Sequence, residues 1–267
     1  MDLLTEIEKL RAEGYSEENA EARLCQDIVL QGVAGSSLSR NITIKGGVVM
    51  RNLSKSVRRA TQDVDIDFIR YSLDDDSIER FISRINTVEG VHIKRIGRIE
   101  ELKHQDYKGK RIQLLISDDN KYEIKSKMDI GVHKDLTLLQ DEYCFDICFM
   151  EEGASLLMNS PAQMIAEKLK SLVRFGASST RYKDIFDIYY LLDKVDVEKL
   201  KECIENHIIK DETLKSANSL EDIAKNLEKT AENEKFIQRV KDSKKNWLDI
   251  GEKEAFERVI EFIKSLI

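Results

Sequence analysis

A glycine pair followed by a strand with alternating aspartates constrains the fold of this chain more than any other feature. The segment "NITIKGG" at residues 41–47 alternates apolar positions and ends in glycine, which predicts a short strand and a turn. Residues 48–54 predict a helix, and "DVDIDFI" at residues 63–69 predicts a second strand. The succession of strand, glycine turn, helix and aspartate-rich strand is a much more specific signal than any one of these elements alone.

Asp63, Asp65 and Asp67 line one face of the predicted second strand, because residues two apart on a strand point the same way. Val64, Ile66 and Phe68 are then predicted to lie in the core on the other face. Three like charges repel one another, and a divalent cation such as Mg²⁺ is the natural counter-ion because it prefers oxygen ligands. Asp63 and Asp65 are therefore the predicted metal ligands, whereas Asp67 is predicted to be structural or solvated. The alternative interpretation is a solvated face that keeps an edge strand soluble.

Gly46 and Gly47 join the end of the first strand to the start of a helix. Because they lack side chains, they let a phosphate approach the backbone, and the amides at a helix N-terminus attract anions. The pair is therefore a candidate phosphate-binding turn. The alternative interpretation is that the two glycines only provide a tight connection.

A third carboxylate is expected from Asp129, in the predicted strand "YEIKSKMDIGV" at residues 122–132. Three carboxylates would complete a two-metal site of the kind that phosphoryl-transfer enzymes use. The alternative role for Asp129 is an ion pair with Lys125 or Lys127, which share its face of the strand.

The order of the predicted elements indicates an α+β fold in two parts. From residue 91 to about residue 149 the chain contains several strand-like segments, the last of them "YCFDICFM" at residues 143–150, with a hairpin turn at "SDDNK", residues 117–121. From "SPAQ" at residues 160–163, which predicts a capped helix start, the chain is predicted to be helical. We expect a mixed sheet flanked by helices over residues 1–158 and an all-helical domain over residues 159–267.

Two segments resemble known signatures. "IKGGVVMRNL…RRATQDVDIDF" resembles the glycine-pair and Asp-x-Asp signature of nucleotidyltransferases of the DNA polymerase β type. "AEKLKSLVRFGASSTRYKDIFDIYYLL" at residues 166–192 is similar to the second signature of the AbiEii/AbiGii toxin family, which includes toxins that add nucleotides to tRNA. The resemblance implies a nucleotidyltransferase fold for the sheet region and an enzyme that uses an NTP.

The resemblance also implies roles for individual residues. The implied catalytic residues are Asp63, Asp65, Asp129 and Lys168, of which the three aspartates are metal ligands and Lys168 contacts a phosphate. The implied nucleotide-binding residues are Gly46, Gly47, Lys45, Arg59, Thr61, Lys168, Asp184 and Asp187. Thr61 stands where many family members have serine, a difference that keeps the hydroxyl group. The alternative role of Asp184 and Asp187 is to form interhelical salt bridges that hold the helical half to the α/β half.

The expected reaction is Mg²⁺-dependent transfer of a nucleoside monophosphate to an acceptor hydroxyl, with tRNA as the acceptor by family analogy. A net charge of −7 argues against non-specific nucleic-acid binding by the whole protein, so RNA contact would need local basic segments. Residues 91–127 are one candidate, because they carry ten Lys and Arg against six Asp and Glu. The segment "RNLSKSVRR" adds Arg51, Lys55, Arg58 and Arg59.

Two other functions stay open at this point. One is transfer to a small hydroxyl compound such as an aminoglycoside, or to a protein side chain; the other is a catalytically silent interaction module. A toxin role implies an antitoxin partner. The four cysteines lack metal or disulfide spacing and no apolar run reaches about 18 residues, so we expect a cytoplasmic protein without a membrane span.

Overall fold

The computed structural model describes residues 1–102, 109–133, 136 and 140–267. These residues fall into two compact units, an N-terminal unit (Met1–Asn159) and a C-terminal unit (Ser160–Ile267). The helices described in the N-terminal unit are α1 (Leu3–Ala12), α2 (Glu17–Ala34), α3 (Gly46–Ser54) and α4 (Asp75–Ile85). Its described strands are β1 (Ile42–Lys45), β2 (Val64–Phe68), β3 (Val91–Leu102), β4 (Gly109–Asp118), β5 (Glu123–Val132), β6 (Asp141–Phe145) and β7 (Ala154–Met158).

The described strands form one mixed sheet in the order β3-β4-β5-β2-β1-β7-β6. Strand β2 runs parallel to β5 and antiparallel to β1, which places it near the centre of the sheet. The predicted hairpin joins β4 to β5, and the Asp118 amide donates to the Tyr122 carbonyl oxygen at its turn. The mixed sheet with flanking helices confirms the predicted α+β class.

One face of β2 belongs to the hydrophobic core. Val64, Ile66 and Phe68 are fully buried, and the Phe68 ring meets the edge of Phe81 from α4 at a centroid distance of 5.3 Å. Burying each such side chain stabilises the fold by about 1.5–3 kcal/mol. Because side chains alternate along a strand, the aspartates between these residues project to the opposite face of the sheet.

The prediction of one strand over residues 143–150 is wrong in its second half. Strand β6 ends at Phe145 because the next backbone amides bond to side chains of helices instead of a neighbouring strand. The Asp146 amide donates to Asn52 Oδ1 at 3.0 Å, and the Cys148 amide donates to Asp27 Oδ2 at 3.0 Å. The chain then returns as β7, a strand that the sequence analysis missed.

The C-terminal unit is helical throughout its regular structure. Its described α-helices are α5 (Pro161–Phe175), α6 (Asp184–Leu191), α7 (Val197–Ile204), α8 (Leu220–Ala231), α9 (Glu234–Asp242) and α10 (Glu252–Ser265). The predicted start of α5 is confirmed, since Ser160 and Gln163 form the reciprocal bonds of a capping box around Pro161. Among the described residues, no helix combines the length and apolar character that crossing a membrane requires.

Candidate active site

The glycine pair occupies the first two positions of α3, directly after β1. Gly46 has a φ of +66°, a backbone conformation that other residues adopt only with strain. A Cβ on Gly46 would lie 3.0 Å from Cγ of Asp65, and a Cβ on Gly47 would lie 2.6 Å from Cβ of Thr61. The absence of side chains therefore lets the start of α3 pack directly against Asp65 and Thr61. The first amides of a helix lack intrahelical acceptors, so hydrogen-bond donors lie beside Asp65.

A row of four charged residues crosses the sheet at the level of Asp65. Lys45 of β1 is the register partner of Asp65, Asp65 is the partner of Asp129 on β5, and Asp129 is the partner of Arg111 on β4. Register partners share a face, so the two carboxylates lie side by side between two cations. The structure thus brings Asp65 and Asp129 together as the sequence analysis expected.

Asp67 lies one step further along the same face and forms an ion pair. Lys45 Nζ is 2.7 Å from Asp67 Oδ1, and both side chains are largely buried. This pairing gives Asp67 a structural partner, and it neutralises a lysine that was predicted to bind nucleotide. Asp63 immediately precedes β2 and is half-buried.

Arg111 is a site residue that the sequence analysis did not single out. Its Nε and Nη2 donate to Oδ1 and Oδ2 of Asp129 at 2.7 and 2.8 Å, so both carboxylate oxygens are engaged. The hydrogen bonds to Asp129 raise the pKa of Arg111 above its ordinary value, and the charges of Asp129, Asp63 and Asp65 act in the same direction. The alternative role of Asp129 as an ion-pair partner is therefore present, but the partner is Arg111 and not a lysine of its own strand.

Two further predicted nucleotide-binding residues belong to the connection between α3 and β2. Thr61 packs against Gly47, and its backbone oxygen accepts a 2.7 Å hydrogen bond from Gln26 Nε2. Arg59 ends a short 3-10 turn and is 3% exposed. The Thr61 hydroxyl is therefore at the glycine turn, whereas Arg59 is part of the interior of the N-terminal unit.

Asp63 and Asp65 have the donor chemistry that a divalent cation needs. Both are half-buried carboxylates two residues apart at the start of β2, so strand alternation puts them on one face, where their oxygens can bind the same ion. Within the described part of the chain, no group of three or more His, Cys, Asp or Glu is arranged to hold a metal ion. The residues therefore fit an ion at two carboxylates, while Asp129 is engaged by Arg111.

The predicted residues of the second signature form a buried cluster within the C-terminal unit. Lys168 Nζ lies 3.0 Å from Asp184 Oδ1 and 2.8 Å from Asp187 Oδ2, and all three side chains are buried. Trp247 adds a bond that the sequence analysis missed, since its Nε1 donates to Asp187 Oδ1 at 3.0 Å. Arg181 Nε is 2.7 Å from Asp184 Oδ2. Interhelical ion pairs are thus present, but these pairs link α5 to α6 within the C-terminal unit, whereas the sequence analysis expected them to join the helical half to the α/β half.

The segment "RNLSKSVRR" presents less free basic charge than its composition suggested. Arg51 and Arg59 are buried, and Arg51 lies 2.6 Å from Asp27 Oδ1. Lys55 and Arg58 are exposed, and Lys55 pairs with Asp146. The charge count of the segment did not show these pairs because the acids are distant in sequence.

The basic segment at residues 91–127 divides into paired and exposed cations. Arg95 pairs with Glu79 and Lys110 pairs with Asp75, while Lys103 and Lys108 lie outside the described residues. The exposed lysines on the face of the carboxylates, which we call the lysine strip, are Lys94, Lys125 and Lys127. Lys127 lies two residues before Asp129 on the same face of β5, so the strip begins next to the charged row.

A family model described as "Nucleotidyl transferase AbiEii toxin, Type IV TA system" matches residues 28–261, which is most of the chain. The chain belongs to this family. Membership makes it a nucleotidyltransferase of the toxin type found in type IV toxin–antitoxin systems, and it implies an NTP substrate and an antitoxin partner. The resemblance drawn from the two sequence segments is thereby confirmed.

The search of solved structures finds an antigenic nucleotidyltransferase-like protein from Paracoccidioides brasiliensis. Its crystal structure is similar with a TM-score of 0.42 and 17% identity, over 76% of this chain and 92% of that chain. None of the curated proteins matches this chain in sequence. The family assignment therefore rests on the family model.

Proposed function

We propose that the chain transfers a nucleoside monophosphate from an NTP to an acceptor hydroxyl, with Asp63 and Asp65 as the reaction centre. The observation that carries this proposal is the contact between the glycine turn and Asp65, which no larger residue would permit at Gly46. It juxtaposes backbone donors suited to phosphate with a carboxylate suited to a cation. An NTP presents both partners in one molecule, since its triphosphate binds Mg²⁺ and accepts hydrogen bonds.

The proposed reaction gives a role to the glycine turn and to the candidate carboxylates of the N-terminal unit. Asp63 and Asp65 would hold Mg²⁺, which supplies charge neutralisation for the triphosphate when it is bound. The amides at Gly46 and Gly47 orient the phosphates. The acceptor oxygen forms a bond to the α-phosphorus, the bond from that phosphorus to the bridging oxygen breaks, and pyrophosphate leaves. Asp129 is the predicted acceptor of the hydroxyl proton or ligand of a second ion.

Lys168, Asp184 and Asp187 enter the proposal through the family resemblance alone. The resemblance implies that Lys168 contacts a nucleotide phosphate, a role that suits the point charge of an ammonium group. In the C-terminal unit this charge is held by two buried carboxylates, which fixes its position and also offsets it. The informative variants are therefore Lys168→Met, which removes this charge, and Lys168→Arg, which keeps it.

An RNA acceptor is the substrate that the lysine strip favours. Its three exposed ammonium groups share the face of the candidate reaction centre, so a phosphate backbone lying along the strip would present its end near Asp65. The identification of the RNA as tRNA rests on family analogy. In this proposal the protein is the cytoplasmic toxin of a toxin–antitoxin pair.

The test is incubation of the purified chain with Mg²⁺, each labelled NTP in turn and total bacterial RNA. Label in RNA, lost in Asp65→Asn and kept in the matched surface control Glu123→Gln, supports the proposal. Charge reversal at Lys125 and Lys127 should lower RNA labelling while NTP binding is kept. Transfer to added protein or to an aminoglycoside instead of RNA would overturn the assignment of RNA as the acceptor. Full activity of Asp65→Asn would overturn the assignment of Asp65 to the reaction centre.

A further inference from the structure

We propose that Arg111 is the second cation of this site, so that the N-terminal unit binds one divalent ion and not two. The inference rests on the proposed function, because it concerns the ion assigned there to Asp63 and Asp65. It departs from the expectation that Asp129 completes a three-carboxylate, two-metal centre. Arg111 would be a positioning residue, since it acts by holding Asp129.

The hydrogen bonds to Asp129 leave no oxygen of that carboxylate unengaged. A guanidinium and a carboxylate form two parallel, charge-assisted bonds in this arrangement, which is the strongest geometry open to an arginine. A divalent ion at Asp129 would compete with these bonds for the carboxylate oxygens. It would also lie close to the positive charge of the guanidinium, so the pair disfavours an ion at this position.

The sheet fixes the backbone of Arg111 opposite Asp129. Arg111 and Asp129 are register partners in the antiparallel β4–β5 ladder, which continues on both sides of them from Lys110↔Ile130 to Ser117↔Glu123. The hairpin places the two side chains next to each other on one face whenever the sheet is formed. Strand register therefore places the arginine in the row, as it places the carboxylates.

One divalent ion balances the net charge of the row and of the two aspartates that flank Asp65 along the chain. The charged side chains concerned are Asp63, Asp65, Asp67, Asp129, Lys45 and Arg111. Four carboxylates face two cations, which leaves a net charge of −2 among these six side chains. One Mg²⁺ neutralises that charge, whereas two would leave a net charge of +2 before any substrate is bound. Removing the guanidinium charge raises the demand for cations, and it also exposes a third carboxylate.

The experiment counts ions with Mn²⁺ as the probe, in the absence of nucleotide, by titration calorimetry and electron paramagnetic resonance. Wild type should bind one Mn²⁺ per chain. Arg111→Met, which removes the charge but keeps a long side chain, should bind a second Mn²⁺ with a dissociation constant within about tenfold of the first. Arg111→Lys keeps one positive charge and should bind one ion.

The matched control is Arg95→Met, which removes another ion-paired arginine, on the neighbouring strand β3, whose partner is Glu79. It should bind one Mn²⁺, as wild type does. Circular dichroism melting checks that each variant is folded. Two Mn²⁺ ions on wild type, or a single ion on folded Arg111→Met, would overturn the inference and leave nucleotidyl transfer intact. If no variant binds Mn²⁺, both this inference and the metal assignment under the proposed function are wrong.

Discussion

Replacing Gly46 with alanine tests the contact on which the candidate active site depends. The substitution has two costs, which the structure separates. A left-handed backbone costs a non-glycine residue about 1–2 kcal/mol. The added Cβ would also lie 3.0 Å from Cγ of Asp65, and relieving such overpacking costs about 1–3 kcal/mol. Gly46→Ala should therefore lower the free energy of unfolding by about 2–5 kcal/mol.

Gly97 provides the matched control, because its φ is +68° and no described heavy atom lies within 4 Å of the position its Cβ would occupy. Gly97→Ala should lose only the backbone cost of about 1–2 kcal/mol. Urea denaturation followed by circular dichroism measures both variants, and the RNA-labelling assay measures their activity. Gly46→Ala should be nearly inactive because Asp65 must move away from the helix start, whereas Gly97→Ala should be active. Equal losses of stability, or full activity of Gly46→Ala, would refute the reasoning.

Two further predictions concern charges elsewhere in the chain. Lys168→Met removes the buried ammonium that pairs with Asp184 and Asp187, although Arg181 still pairs with Asp184, and should destabilise the C-terminal unit by about 3–5 kcal/mol. The fluorescence of Trp247, the one tryptophan of the chain, reports unfolding of this region, since its indole donates a hydrogen bond to Asp187. Lys168→Arg should keep the stability of wild type. Equal melting temperatures of Lys168→Met and wild type would contradict the prediction. Bonds from the Ser72 hydroxyl and the Ser77 amide lower the pKa of Asp74 from 3.8 to about 2, so its stabilisation of α4 is complete above pH 3.8 and is lost as the pH falls through about 2. A carboxyl titration by nuclear magnetic resonance that gave Asp74 an ordinary pKa would exclude this.

Features carried by local patterns were predicted correctly from the sequence. The alternation of apolar and acidic residues in β2 placed Val64, Ile66 and Phe68 in the core, and the residues at 160–163 placed the start of α5. Both signals involve neighbours within a few positions, where strand alternation and helix capping act. The glycine pair was also recognised as a candidate phosphate-binding turn, but its close packing against Asp65 was not predicted. The close approach of Gly46 to Asp65 joins residues 19 positions apart, and composition does not show it.

Features that depend on distant partners were missed or wrong. Strand β6 ends early because Asn52 and Asp27, on two helices, accept hydrogen bonds from backbone amides that a longer strand would have donated to its neighbour. Arg51 looked like an exposed cation because its acid, Asp27, lies 24 positions earlier. In both cases the local sequence favours one environment, and a buried tertiary contact imposes another.

Arg111 shows why the most informative site residue was the hardest to predict. The hairpin turn at residues 117–121 was recognised, and counting outward from its middle residue, 119, places Asp129 opposite residue 109. The observed ladder pairs Ser117 with Glu123, so its centre is residue 120 and Asp129 faces Arg111. Moving the centre of a hairpin by one residue moves every partner by two, and here that shift replaces a glycine by an arginine. The pairing that decides how many ions the site can hold therefore depends on turn geometry, and this geometry was fixed only by the three-dimensional structure.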